Sequence, residues 1–533
     1  MRGLALRRRD GARSAAQLKR LTLLACIIGS GIGLLDTTIV NIALPTIQRG
    51  LGGGLSGEQW IVNAYLLTLG SLILVGGSLE DVFGSRVVFA AGVGGFGAAS
   101  VLCGIAPSIG ALVACRALEG LAGALLVPSS LAVIVSTFPE DQERGHAVGI
   151  WTAGTTIATV AGPLAGGALL RVASWRWLFF VNVPLVLVCL ALIPAVIPRE
   201  RRTGARRRID LRGGGLCVLG LAGTVFALIE EERLGWGSPL VIGSLAGGIA
   251  VLVAFVLAEH RAPDPMLPLR LFARRNFTAA NLETLAVYAG LSVLTLFLVL
   301  FLQQVAGYSP LRSGLALLPS PIVLFLASSR FGALAGRIGP RPLMSAGPLV
   351  AAAGLLLLLR VGLDASYFSE ILPAVALFGL GMSMTVAPLT ATVLSRVEPG
   401  EAGIASAVNN AVARVAGLLG TAAVGTVLAA TFDSAFAARL GSAPLGSAGE
   451  RAANAARHLV LGRPPVARVP AAQAHRVLAA ANGASLESFH VAIAIAAGLL
   501  ALGGLIGALG IAGRPPAQLG GAAEAIRSSS ESG

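Results

Sequence analysis

Asp36 is the residue whose type and position most constrain the chemistry of this chain. It lies inside a long apolar run, Leu34-Leu-Asp-Thr-Thr-Ile-Val-Asn-Ile-Ala-Leu-Pro45. A charged Asp at the centre of a membrane helix costs about 2.5–3.5 kcal/mol, and such residues face a bundle interior or a wet cavity. Low dielectric disfavours the ionised form, so this carboxyl could take up and release a proton. The alternative is a structural hydrogen bond to a neighbouring helix. Asn41, in the same run, joins Asp36 as a candidate proton-coupling or substrate residue.

Arg116 and Glu119 form a second charged group within an apolar stretch. Their i, i+3 spacing places both side chains on one helix face, where they can pair. Arginine does not lose its proton in proteins, so Arg116 would supply a fixed positive field for a nearby carboxylate. The alternative is an internal ion pair that only neutralises itself.

Small residues recur every four positions in the following apolar stretch, at Gly154, Ala158, Gly162 and Gly166. Such a face allows another helix to approach closely. The same stretch also contains Pro163, which predicts a bend, and Gly167. Close packing alone explains the pattern, and a gating role is an additional hypothesis.

Further polar residues occur in two later apolar stretches. Asn409, Asn410 and Arg414 lie in one, and Glu283 lies early in the other. We treat them as candidate cavity residues. The alternative for Arg414 and Glu283 is a position near the membrane interface, with the charged group reaching water.

Several common chemistries have no counterpart in the sequence. There is no G-x-x-x-x-G-K-[ST] phosphate loop, no H-E-x-x-H and no G-x-S-x-G, which argues against ATP-driven transport and common hydrolases. The five cysteines lie in apolar stretches without a C-x-x-C pair, so neither a disulfide framework nor a metal site is expected.

The elements that position these residues follow from composition. The chain has 533 residues, of which 55% are hydrophobic and 12% charged, with a mean hydropathy of +0.81. Soluble domains carry about 25% charged residues, so a multi-span helical membrane protein is predicted. The net charge of +14 comes from arginines between apolar runs, which favours a role in membrane orientation over nucleic-acid binding.

Fourteen stretches are long enough to cross a bilayer, which takes about 20 helical residues. The predicted spans are 21–47, 58–79, 87–105, 109–133, 145–170, 176–197, 213–230, 238–258, 277–302, 313–333, 342–362, 371–393, 404–430 and 488–512. Because successive spans cross the membrane in alternating directions, the clusters of arginine all fall on one face of the membrane. That face should be cytoplasmic. They include the residues of 1–20, those between Arg199 and Arg212, and Arg270, Arg274, Arg275, Arg337 and Arg341. Both termini are then expected in the cytoplasm, in the cytoplasmic membrane of the cell.

An internal repeat divides the chain. Residues 77–86 and 332–341 align at one constant offset, with Gly77, Gly84 and Arg86 matching Gly332, Gly339 and Arg341. Parallel repeats of this kind build the two halves of one large transporter fold. The predicted organisation is a basic N-terminus (1–20), a six-span half (21–197), a basic linker with two extra spans (198–276), a second six-span half with an external loop at 431–487 (277–512), and a cytoplasmic tail (513–533).

The ordered set of these strings resembles the fourteen-span drug/proton antiporter family of the major facilitator superfamily, from about residue 20 to residue 430. The strings that carry the resemblance are 35–45, 77–86, 116–123, 154–167, 175–184 and 307–314. The family has basic residues where this chain has Val82 and Ser85, which thins the charge network around Asp81 and Arg86 in the gating loop. It has Gln where this chain has Glu119, so the standard role of that motif is in question.

The resemblance implies that Asp36 is a proton-coupling or substrate-sensing carboxyl, that Arg116 is its electrostatic partner, and that the small-residue span is the antiport hinge. It also implies export of a lipophilic drug, dye or antibiotic, driven by the proton gradient without a cofactor, by a monomer in the lipid bilayer. Uptake of a metabolite by proton symport is the alternative, and a membrane receptor or membrane enzyme is a third.

Overall fold

The computed structural model describes residues 2–198, 209–394, 401–441, 444–457, 459–462 and 464–512, with side chains from residue 16 onward except at 141, 142 and 402. This part of the chain is helical and contains no β-strand. The helices are α1 Arg2–Leu51, α2 Gly54–Phe83, α3 Ser85–Gly104, α4 Ile109–Thr137, α5 Asp141–Val172, α6 Trp177–Phe180, α7 Asn182–Val196, α8 Leu211–Leu234, α9 Pro239–Arg261, α10 Arg275–Leu300, α11 Pro310–Leu317, α12 Pro319–Ile338, α13 Pro340–Leu357, α14 Leu372–Leu394, α15 Ala402–Leu440, α16 Ser447–Arg457 and α17 Ala471–Gly510.

Fourteen helical segments of the described residues are long and apolar enough to cross a membrane, which confirms the predicted count. The sixth combines α6 with α7, and the tenth combines α11 with α12. Helices are required here because lipid offers no partner for backbone N–H and C=O groups, so each segment must satisfy its own. The all-α membrane fold predicted from composition is therefore confirmed.

Two sets of six membrane-spanning segments repeat the same packing. In the first half α1 packs on α5 and α7, and α4 packs on α2 and α3. In the second half α10 packs on α15 and α17, and α14 packs on α12 and α13. This correspondence, position by position, is the arrangement expected from two parallel repeats.

The repeated sequence segments occupy equivalent corners. α2 and α3 meet at Gly84, whose φ is 86°, and α12 and α13 meet at Gly339, whose φ is 88°. Positive φ at both corners explains why glycine stands there in each repeat. Arg86 donates to the carbonyl of Pro194 at 3.5 Å, and Arg341 donates to that of Ala508 at 2.8 Å. Each arginine thus binds the last helix of its own half.

Of the two extra spans, α8 lies along the seam between the halves and α9 packs on α8. α8 and α9 pack on each other, and α8 also contacts α2 and α15. α2 and α15 contact each other along the same seam, while α5 contacts α11 on the other side of the bundle. The halves therefore meet through α2–α15 and α5–α11. We call the end of the bundle where α2 meets α3 the Arg86 end, and the other the opposite end.

The segment 431–487 differs from the predicted external loop. α15 continues to Leu440, α16 occupies 447–457 and α17 begins at Ala471. Alanine has the highest helix propensity, so an alanine-rich connection extends the flanking helices. Val460 and Leu461 are buried in the main core. The arginines from Arg199 to Arg208 and the tail 513–533 lie outside the described residues, as do the side chains of residues 2–15.

Gly120 tests how closely these helices must approach. A Cβ at Gly120 of α4 would overlap the Tyr65 carbonyl and the Thr68 hydroxyl of α2. We expect Gly120→Ala to lower the stability of the detergent-solubilised protein by about 1–3 kcal/mol, because overpacking forces backbone shifts. Thermal unfolding measures this, with Gly110→Ala as the matched control because a Cβ there meets nothing within 4 Å. Equal melting temperatures would contradict the argument.

Candidate functional site

Asp36 of α1 lies in the interior of the first half, where it pairs with Arg116 of α4. The Nη1 of Arg116 is 2.5 Å from the Oδ2 of Asp36. Both residues are 1% exposed. The sequence places each in an apolar helix, and the packing of α1 on α4 brings them together.

Glu119 binds the same guanidinium nitrogen. Its Oε2 is 2.6 Å from Nη1 of Arg116, one turn away on the same helix, as the i, i+3 spacing predicts. Its Oε1 accepts a hydrogen bond from Ser100 of α3. The Sγ of Cys103 lies 3.5 Å from Oε2. Two carboxylates therefore share one buried arginine, and we call Asp36, Arg116 and Glu119 the triad.

Neighbouring helices complete the shell around the triad. Asn182 of α7 donates to Asp36 Oδ1 at 3.2 Å and to Ser100 Oγ at 3.1 Å. The Nε of Arg116 donates to the carbonyl of Ile61 at 3.2 Å. The ring of Tyr65 covers the guanidinium, with 4.5 Å between Arg116 Cζ and the ring centroid.

Sequence reasoning did not single out Ser100, Asn182 or Tyr65. A Ser, an Asn or a Tyr in an apolar helix is common enough that its type alone gives no signal. Asn182 had one available clue, since it belongs to the string 175–184 that carries part of the family resemblance.

The charge balance of the triad determines its chemistry. With both carboxyls ionised, two negative charges face one positive charge, and the group holds a net negative charge away from water. An uncompensated buried charge is expensive, whereas one bound proton makes the triad neutral. The shared arginine then faces the remaining carboxylate as its counter-ion. The arrangement can therefore bind one proton at a time.

A cavity of 1440 Å³ opens at the Arg86 end between the two halves. Its walls come from α2, α4 and α15, and from the connection between α9 and α10. Apolar side chains share the lining with Gly77, Asp81 and Asn410, which the sequence predicts as gate or cavity residues. Asp36, Arg116 and Glu119 do not line this cavity. The triad is therefore separated from the cavity in the conformation described here. Asn41 is half-buried, and its side chain forms no hydrogen bond with the described residues.

The small-residue face of α5 has two partners. Gly154, Gly162 and Gly166 lie against Ile27, Thr38 and Ile39 of α1. Gly167 lies against the backbone of Leu311, and Gly314 lies against the carbonyl of Pro163. The face thus joins α1 within its own half to α11 of the other half, through residues without bulky side chains.

In the second half, the polar candidates do not form one site. Asn409 donates to Thr284 Oγ1 at 2.7 Å and to Asn281 Oδ1 at 3.2 Å. Asn410 donates to its own helix at the carbonyl of Ser406. Arg414 lies against Gly70 of α2 at the seam and forms no ion pair within the described residues. The structure therefore does not bring these side chains together.

Glu283 is buried inside the protein, so its carboxyl does not reach water in this structure. It is 0% exposed, and neither carboxyl oxygen has a hydrogen-bond partner among the described residues. It lies beside Gly503 and Gly507 of α17. The packing of α10 on α17 therefore draws it inward instead of toward water.

Removing Arg116 should test whether it compensates both carboxylates. We expect Arg116→Met to destabilise the protein by about 3–5 kcal/mol, because two carboxyls lose their only cation. The triple variant Arg116→Met, Asp36→Asn, Glu119→Gln should recover most of that loss, since no charge is left unpaired. Chemical unfolding followed by tryptophan fluorescence measures both. A triple variant no more stable than Arg116→Met alone would contradict the shared pairing.

Known proteins resemble this chain over most of its length. The puromycin resistance protein pur8 of Streptomyces alboniger is 43% identical over 397 residues, covering 74% of this chain and 78% of pur8. The tetracenomycin C resistance and export protein of Streptomyces glaucescens is 33% identical over 478 residues, covering 89% of this chain and 88% of that protein. The multidrug resistance protein Stp of Mycobacterium tuberculosis (strain ATCC 25618 / H37Rv) is 35% identical, covering 77% and 76%.

A solved structure shares the fold. The crystal structure of a bacterial homolog to the human lysosomal transporter Spinster aligns with a TM-score of 0.64 at 18% identity, covering 94% of this chain and 99% of that one. The family model described as Major Facilitator Superfamily matches residues 26–421. The chain therefore belongs to the Major Facilitator Superfamily.

Proposed function

We propose that this protein is a proton-coupled antiporter that exports lipophilic drugs, dyes or an antibiotic across the cytoplasmic membrane. Three similar proteins carry names of puromycin resistance, tetracenomycin C resistance and export, and multidrug resistance, which supports drug export. It works as a monomer without a cofactor, and it moves its cargo without changing it chemically.

The buried triad is the observation that carries the proton coupling. Asp36 and Glu119 share Arg116 at 2.5 and 2.6 Å with 1% or less of each side chain exposed. Binding one proton cancels the net charge of the triad. Burying the protonated triad therefore costs less free energy than burying the unprotonated triad. A conformational change that opens the first half to water would favour release or uptake of that proton.

The shape of the molecule supports alternating access. The cavity opens at the Arg86 end, while α5 meets α11 at the opposite end. By the positive-inside rule, the arginine clusters support a cytoplasmic position for the Arg86 end and for both termini. The structure then represents the state that accepts cargo from the cytoplasm, and rocking of the two halves would expose the cavity outside.

The available energy suffices for concentrative export. One charge moving through 100 mV supplies about 2.3 kcal/mol, and about 1.4 kcal/mol supports each tenfold step. One proton per cargo molecule therefore supports a gradient of roughly fifty-fold.

Replacing Asp36 tests the coupling. We expect Asp36→Asn to reduce the proton-driven dye gradient in vesicles from about fifty-fold toward unity, because Arg116 and Glu119 are left as a neutral pair that needs no proton. Downhill dye exchange should persist. Dye fluorescence under an imposed proton-motive force of about 100 mV measures both. Asp364→Asn, an exposed aspartate, is the matched control.

Full proton-driven efflux by Asp36→Asn would remove Asp36 as the coupling residue. Dye accumulation in the direction of proton flow would instead support uptake by symport.

Single cysteines test the orientation. Gly145 near the Arg86 end and Gly110 at the opposite end both leave open space for a side chain. A membrane-impermeant maleimide should label Gly110→Cys in intact cells and Gly145→Cys only after permeabilisation, because the positive-inside rule places Gly145 in the cytoplasm. The reverse labelling would invert the topology.

A further inference from the structure

Glu58 is a buried carboxyl that the triad mechanism does not use. It lies in the first turns of α2 at the opposite end of the bundle, and it is 1% exposed. Its Oε1 accepts a hydrogen bond at 3.0 Å from the Nε2 of Gln304, which belongs to the second half. The contact therefore joins the two halves where they are closed.

The surroundings of Glu58 suit a neutral carboxyl. Its Oε2 is buried with no hydrogen-bond partner among the described residues. The charged neighbour that acts on it is Glu232 of α8, which repels a negative charge, and its donor Gln304 is uncharged. No arginine, lysine or histidine of the described part pairs with it. An unpaired carboxylate buried in such a place is strongly disfavoured, so these contacts suit the neutral, protonated form.

Neighbouring contacts show that this region is a closure between halves. Gln303 donates to the carbonyl of Ile42 at 2.9 Å. On α2, Gln59 donates to the carbonyl of Thr421 at 2.7 Å. Gln303 and Gln304 belong to a π-helical turn, Phe301–Val305, and such turns are frequent at functional sites. Separation of the halves would break these bonds and bring Glu58 into contact with water.

We propose that Glu58 is a proton-binding site at the opposite end, and that proton uptake there allows the two halves to close. In the open state the carboxyl is hydrated and ionises readily. A proton from the outside converts it to the neutral form, which can be buried against Gln304. The same proton returns to the outside when the end reopens, so Glu58 controls the return step without carrying charge across.

This inference rests on the alternating access proposed above. A distance measurement tests the role of Glu58 and alternating access separately. Gly110 and Gly362 lie at the opposite end on different halves, and a Cβ at either meets nothing within 4 Å. Spin labels at Gly110→Cys and Gly362→Cys, with Cys115 and Cys217 replaced by alanine, report the opening of this end in nanodiscs.

We expect the closed fraction to fall as the pH rises from about 5.5 to about 8.5, by up to about tenfold in the closed-to-open ratio per pH unit for one linked proton. Glu58→Gln should stay closed and lose this dependence, because glutamine is neutral at every pH and can still accept from Gln304. Glu231→Gln, an acid of the same end, is the matched control and should behave as the parent. Asp36→Asn should keep the pH response.

Gln304→Met provides a second variant, which removes the donor and leaves the carboxyl in place. It should lower the closed-to-open ratio roughly two- to tenfold at low pH while keeping the pH dependence.

A parent-like pH response in Glu58→Gln would overturn the inference alone. So would labels that respond to added dye and not to pH. Labels that keep one separation under all conditions would contradict both the inference and alternating access.

Discussion

One guanidinium shared by two carboxylates, in a place without water, is the interaction on which the rest of the first half depends. Arg116 could not be buried without a counter-ion, and neither Asp36 nor Glu119 could be buried ionised without Arg116. Helices α1, α3, α4 and α7 each contribute a polar group to this centre, so its stability requires their mutual packing. Two carboxylates around one guanidinium leave one net negative charge, which a single bound proton would neutralise.

The two halves share their packing and differ in their charges. The pairs α1–α5 and α10–α15 correspond, as do the corners at Gly84 and Gly339. The triad of the first half has no counterpart among the described residues of the second, which instead holds the neutral contact of Asn409 with Thr284 and the unpartnered Glu283. A duplicated scaffold therefore holds its buried ion pairs in the first half, while the polar contact described in the second half is neutral.

Closure at the opposite end is built differently from the triad. There the contacts cross between halves, and they use amides and one carboxyl without an arginine. A buried ion pair holds one charge state, whereas a carboxyl facing only an amide is tolerated in its neutral form. The protein thus buries two kinds of carboxyl. Those inside the first half are paired with an arginine, and the one between the halves is bonded to an amide.

The sequence by itself determined the number of spans, the repeat and the pairing within α4, because these depend on local quantities. Hydropathy over about 20 residues, a constant offset between two segments and an i, i+3 spacing do not require knowledge of the packing. It also singled out Asp36, since a charge in an apolar run is costly wherever the helix packs. Only the tertiary structure decided that Asp36 and Glu119 bind the same nitrogen, that Asn182 and Ser100 complete the group, that Glu283 turns inward and that Glu58 faces Gln304. Those contacts join helices far apart in the chain, and they depend on the rotation and depth of each helix, which hydrophobic patterns do not specify when nearly every face of a helix is apolar.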